Sequence, residues 1–179
     1  RARVPDAVDV LARWAEASRV AREGSPARRI DVRYGDGPNE TLDGGAGTDT
    51  ADWSYNSFDS WAFDLSAGTA NIGATTYAHL ISIENVVGGA GNDSITGGAG
   101  SDAFVFTADQ PAPYLDRVLD HQAGIDRILL TGFGFASVAE ALALASETAE
   151  GVLFTFAADR QILIEGADID TIGADLILG

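Results

Sequence analysis

Asp93 and Asp102 hold the same place in two consecutive nine-residue units, GGAGNDSIT (88–96) and GGAGSDAFV (97–105). Each aspartate follows Gly-Gly-Ala-Gly by one residue, and each precedes a large apolar residue, Ile95 or Phe104, by two. The unit is G-G-x-G-x-D-x-U-x, with U apolar. Residues 44–52 repeat it with Asp49 at position six and Ala51 as a weak U. Residues 35–43 are a degenerate copy with Glu40 and Leu42, and residues 79–87 keep Glu84 and Val86 without the glycines. Acids set at a fixed step beside glycine turns offer carboxylate and carbonyl oxygens together, which is the donor set of a hard divalent cation. Calcium suits such irregular turns better than magnesium, which demands near-octahedral geometry. The chain has no Cys and only two His, His79 and His121, which argues against zinc.

The unit also states how it is positioned. Its glycines reach backbone angles closed to other residues and make a turn. The last three residues make a short strand whose U side chain faces a core. Two units form one coil of 18 residues, so acids 18 apart stack on one edge. Glu84 and Asp102 are then expected to face each other, as are Asp102 and Asp120 unless the QPAP segment (110–113) spoils the register. Asp93 has no acid at 75 or 111, and Asp116 serves it if the proline insert shifts the chain.

Around the repeats, residues 4–23 carry apolar residues at helical spacing, ended by Gly24, Ser25 and Pro26. Residues 30–34, parts of 53–87 and 116–130 read as strands. Ser137 to Ser146 reads as a helix with Ser137 and Glu140 as a capping box. Residues 151–166 read as a hairpin turning near 157–160. Trp14, Trp53 and Trp61 read as core or helix-docking groups rather than a sugar platform, and both histidines as surface or turn residues.

Charge divides the chain. Residues 1–33 hold eight of the 11 arginines against five acids; residues 34–179 hold three arginines against 22 acids, a net of −19. That balance excludes phosphate-backbone recognition, which needs clustered cations. No run of 18 apolar residues exists for a membrane span. Neither a Gly-x-Ser-x-Gly elbow nor a His-Glu-x-x-His pair is present, so no catalytic constellation is expected. A flexible glycine linker would lack the nine-residue register. With no Met anywhere, the chain is expected to be a piece of a longer protein.

The repeats resemble the glycine- and aspartate-rich nonapeptides of repeats-in-toxin (RTX, hemolysin-type) proteins. SIENVVGGAGNDSITGGAGSDAFVF followed by DRVLDHQAGIDRILL is similar to the C-terminal region of serralysin-type secreted proteases and of related epimerases and lipases. The resemblance implies a parallel β-roll carrying calcium, with Asp49, Asp93 and Asp102 as ligands beside the carbonyls of Gly45, Gly47, Gly89, Gly91, Gly98 and Gly100. Glu84 joins the metal set through the 18-residue rule, and Asp116 and Asp120 look like the aspartates that close the last site. It further implies type I export, with an uncleaved C-terminal signal of the kind Asp175-Leu-Ile-Leu would provide, and an extracellular location.

The expected architecture is therefore mainly β: a short parallel β-roll with calcium-binding turns and roughly two to four ions, a C-terminal capping hairpin and helix, and an N-terminal amphipathic helix. The expected divisions are 1–33, helix and linker; 34–109, roll with an insert at 53–78; and 110–179, capping and secretion signal. The expected function is a calcium-binding C-terminal module of a secreted bacterial protein that folds on calcium binding after export. Partners would be calcium ions and the export machinery, with no nucleic acid. Two rivals stand beside it: a structural or adhesive surface module that self-associates, and an accessory domain of an extracellular hydrolase or epimerase.

Overall fold

A computed structural model describes residues 29–31, 38–54 and 59–179. The helix expected at 4–23 and most of the 30–34 strand lie outside the described residues. The fold is mainly β, as expected. The strands are β1 (Arg29–Asp31), β2 (Glu40–Asp43), β3 (Thr50–Asp52), β4 (Ala62–Asp64), β5 (Thr69–Ile72), β6 (Thr75–Ile81), β7 (Asn85–Val87) and β8 (Ser94–Thr96). They continue as β9 (Ala103–Thr107), β10 (Tyr114–Val118), β11 (Arg127–Thr131), β12 (Ala145–Glu147), β13 (Gly151–Ala157), β14 (Arg160–Glu165) and β15 (Leu176–Leu178). Among the described residues there are also two short helices, α1 (Val138–Leu142) and α2 (Ile169–Ile172).

The chain steps back and forth between two sheets. The first, in the order β1-β3-β7-β9-β11-β15, is parallel at every pairing. The second runs β12-β13-β14-β10-β8-β4-β5-β6-β2 and mixes parallel and antiparallel pairs. Both sheets run through residue 110 without a break, because β10 pairs with β8 and β11 with β9.

The apolar position of each unit is what holds the two sheets together. Leu42, Ala51, Val86, Ile95 and Phe104 are all buried, as are Val118, Ile128, Ile162 and Ile164 from later strands. A side chain of that size contributes about 1.5–3 kcal/mol when taken fully out of water. Outward neighbours such as Ser94, Thr96 and Val105 stay partly exposed, which is the alternation a strand requires.

The insert at 53–78 is not a loop hung between units. It supplies β4, β5 and the start of β6, an antiparallel meander inside the second sheet. In the first sheet β3 pairs directly with β7 across the same stretch. The second sheet is thus two strands wider there, and the largest core side chains gather at that place. Trp53 packs on Phe63 at 4.8 Å and on Trp61 at 5.6 Å between ring centroids, and Trp61 meets Tyr77 edge-on at 5.6 Å.

The helix expected over Ser137–Ser146 is shorter than its pattern. It ends at Leu142, and Ala145–Glu147 pairs instead with β13 as an edge strand. Ser137 accepts from the Glu140 amide at 3.3 Å, and the Glu140 carboxylate reaches back to the Ala136 amide at 2.9 Å. Ser137→Ala is expected to cost about 1 kcal/mol, read as a lower denaturation midpoint at unchanged m-value; no shift would mean that packing alone fixes this turn.

Candidate metal centre

The glycine at position one is required by its own aspartate. Gly44, Gly88 and Gly97 do not have positive φ, so a left-handed backbone is not the reason for them. The position-six side chain folds back over each. A Cβ on Gly88 would stand 2.2 Å from Asp93 Oδ2 and one on Gly97 2.6 Å from Asp102 Oδ2; one on Gly44 would meet the Ser82 carbonyl first, at 2.1 Å, and then Asp49 Cβ at 2.6 Å. Left-handed backbone is used elsewhere in the turn, at Gly45 (φ 81°), Gly47 (132°), Gly91 (110°), Gly98 (100°) and Gly100 (130°), where an L side chain would be strained.

Successive coils are tied by carboxylates that accept backbone amides from the neighbouring coil. Asp93 Oδ1 accepts from the Trp61 amide at 2.9 Å, and the Asp93 amide donates to Asp116 Oδ1 at 2.9 Å. Asp116 Oδ2 accepts from Gln110 Nε2 at 2.8 Å. One unit on, the Asp102 amide donates to Asp126 Oδ1 at 3.0 Å, while the Gly97 and Gly98 amides donate to Asp120 at 2.9 and 2.8 Å. Earlier in the chain the Asp49 amide donates to Glu84 Oε2 at 2.7 Å.

These contacts satisfy one oxygen of Asp93 and leave another stranded. Asp93 Oδ2 and Asp102 Oδ2 are buried without a hydrogen-bond partner. A stranded buried polar atom costs about 1–3 kcal/mol, more if charged. The titration behaviour agrees. Burial, and then the facing Asp116 carboxylate, push Asp93 up to about 8. Burial pushes Asp116 up to about 7. Asp102 is also raised, by burial first and then by Asp126 and Asp120. A cation beside these carboxylates would favour their ionised form and offset both causes.

The donor set fits a hard cation. All the groups are oxygens, and among the described residues no three His, Cys, Asp or Glu side chains converge on one point. A bound ion would therefore take two carboxylates and complete its shell from carbonyls and water, which calcium tolerates and zinc does not.

The sequence-derived pairings divide. Asp93 and Asp116 do meet. Asp102 and Asp120 lie close enough for Asp120 to raise Asp102, although Asp120 spends its oxygens on Gly97 and Gly98. Glu84 does not turn to Asp102: it is exposed and its carboxylate reaches back to Asp49. Gly89 contributes an amide toward the Asp93 carboxylate, and the Gly98 carbonyl accepts from Gln122 Nε2. Gly45 donates to Asp43, and Gly47, Gly91 and Gly100 serve the turn through their backbone angles. His79 is exposed, but the His121 side chain is buried against Asp175, not a surface group. Asp126 is the residue the pairing rule missed, because 24 residues rather than 18 separate it from Asp102.

Parallel pairings, glycine turns and carboxylates repeated along both edges define a stacked-repeat module. The chain belongs to the Peptidase M10 serralysin C terminal family, whose family model matches residues 40–166, more than half its length. Among matching solved structures is the solution structure of the AlgE6R3 subunit from the Azotobacter vinelandii mannuronan C5-epimerase, at 20% identity and a TM-score of 0.37 over 86% of this chain and 80% of that one. No curated protein matches the chain in sequence. Among the described residues no helix is long and apolar enough to cross a membrane.

Proposed function

We propose that the chain is a calcium-binding β-roll module of a secreted protein, built to stay open while calcium is scarce and to fold where it is abundant. The observation that carries this reading is the buried Asp93–Asp116 pair, two carboxylates set together with an oxygen of Asp93 left without a partner. Asp93 and Asp116 would hold one ion, and Asp102 with Asp120 a second. Asp49 and Glu84 line an earlier step of the edge that carries Asp102. Calcium supplies the positive charge and the coordination that these oxygens lack.

The rest follows from charge. Without a cation, the −19 of residues 34–179 repels itself and holds the chain expanded, a state suited to a narrow type I exporter. Extracellular-type sites bind at about 10⁻⁴–10⁻³ M. A site at a thousand times its dissociation constant adds about 4 kcal/mol, so weaker sites must act together. The hairpin β13–β14 and helix α1 would close the end of the roll and shield its strand edges. No catalytic role is assigned to this chain; its repeat acids serve as ligands.

The test is far-UV circular dichroism in chelator, then a calcium titration with magnesium as the control. A cooperative gain of β signal with calcium alone is expected. A fold already complete in chelator would overturn the proposal.

A further inference from the structure

The acids that enter the first sheet stand just before its strands: Asp49 before β3, Glu84 before β7, Asp102 before β9, Asp126 before β11 and Asp175 before β15. The last member differs from the others in what faces it. Asp175 is 1% exposed, yet both of its oxygens are engaged. Oδ1 lies 3.2 Å from Arg127 Nη1. Oδ2 accepts from the Gly124 amide at 2.9 Å and lies 3.2 Å from His121 Nε2. Arg127 Nη1 also donates to the Asp126 backbone carbonyl at 2.6 Å, so one guanidinium joins the Asp175 carboxylate to the backbone where β11 begins.

Residues 34–179 contain only three arginines. Arg117 lies on the outer face of the second sheet, paired with Glu165 and Glu150. Arg160 reaches the Ala108 carbonyl at 3.3 Å. Of these three, Arg127 is the one that meets the acid column, its half-exposed side chain reaching buried Asp175 from the outer face of β11, at the coil where the glycine unit is absent and no stranded aspartate oxygen remains.

We propose that Arg127 is a built-in counter-cation that closes the last step of the column against Asp175, so that the β11–β15 coil is locked without metal and gives the metal-dependent coils a preformed floor to stack on. The proposal rests on the calcium reading above for the remaining coils, but the clasp itself needs no ion. The local structure supports it. β15 pairs in register with β11 over Ile128–Leu130, and the pairing extends through hydrogen bonds that tie Gly179 to Leu130 and Gly132. On the other side α1 packs onto Gly173, where an added Cβ would stand 3.1 Å from Leu142 Cδ1. Ile172 and Leu176 are buried beside it. The coil thus has an apolar anchor and an internal salt link, and neither of them uses an ion.

Hydrogen exchange on the whole chain tests this, in chelator and in saturating calcium, for the wild type, Arg127→Gln and Arg127→Lys. In chelator, wild-type peptides covering β11 and β15 are expected to stay protected while those covering β8 and β9 exchange. Arg127→Gln should speed β15 exchange in chelator by about tenfold or more, equivalent to ~1.4 kcal/mol of opening free energy, and Arg127→Lys should restore most of it. Wild-type β11 and β15 exchanging as fast as β8 and β9 in chelator would overturn the clasp and leave the calcium titration untouched. Protection of every segment in chelator would instead strike at the calcium reading. The clasp would then be decided by Arg127→Gln: selective acceleration of β15 supports it, and no selective change overturns it.

Discussion

In metal-free buffer the protein should retain more structure near pH 5 than near pH 8.5, where it is expanded, and saturating calcium should reverse that order. The cause is the buried carboxylate pair. Asp93 is raised to about 8 and Asp116 to about 7 in the folded protein, against about 3.9 for an unfolded aspartate. A carboxyl with a raised folded pKa binds its proton more tightly when folded. Its stabilisation is complete below the unfolded value and is lost as pH rises through the folded one, here across about pH 4 to 8. Each tenfold gain in proton affinity on folding is worth about 1.4 kcal/mol, so the pair governs several kcal/mol even after water and relaxation take their share. Calcium acts on the ionised form and so stabilises most where the metal-free fold is weakest. General self-repulsion of a chain at −16 has the same sign in chelator, and Asp93→Asn separates the two causes. Removing one charge of many should barely alter a diffuse repulsion. Removing the buried partner should flatten the chelator pH dependence, raise metal-free stability near pH 8.5 and abolish much of the calcium gain. Far-UV circular dichroism in calcium-stripped buffer across the range decides it; a flat profile for the wild type would mean that the pair is solvated or otherwise neutralised.

The elements of this site differ in how far the sequence discloses them. The nine-residue unit carries its own geometry: glycine turn, acid at six, apolar residue at eight. Buried Ile95, Phe104 and Val86 follow from that spacing alone. The 18-residue stacking rule holds only where units are contiguous, and Asn85 does lie opposite Ala103. Beyond that the step depends on loops. Ser94 lies opposite Arg117, 23 residues on, because QPAP and its neighbours lengthen the coil. Ala103 lies opposite Arg127, 24 on. Thr50 lies opposite Asn85, 35 on, because β4, β5 and β6 intervene. Periodicity cannot give a register set by loop length, which is why Asp116 was legible only as a conditional partner and Asp126 was not legible as one. Arg127 and Asp175, 48 residues apart, meet through a hairpin and two helices whose packing no local pattern encodes.

Gly97→Ala should destabilise the calcium-loaded protein by about 2–3 kcal/mol and weaken calcium binding about tenfold or more, although nothing about the backbone angles of Gly97 demands glycine. Two explanations of a repeat glycine predict opposite signs here. If it served only chain flexibility, alanine at a residue without positive φ would be neutral or would stabilise by about 0.4–1 kcal/mol through the unfolded state. If it makes room for the aspartate, the new methyl must displace Asp102, whose Cβ and Cγ would both stand 2.8 Å away where contact distance is about 3.5–4.0 Å. Asp102 has little freedom to yield. Its amide is held by Asp126 and its carbonyl accepts from the Arg127 amide at 2.8 Å. The side chain must therefore rotate away from its site, or the coil must lose contact with β11. Gly73→Ala supplies the comparison: φ is 58° and nothing lies within 4 Å of the added Cβ, so it measures the backbone penalty alone, about 1–2 kcal/mol, and should leave calcium affinity unchanged. Denaturation in calcium and isothermal titration of both variants read the two quantities separately. A Gly97→Ala protein as stable as the wild type would show that Asp102 can leave its place freely, and the five-residue spacing of glycine and aspartate would then lose its steric explanation.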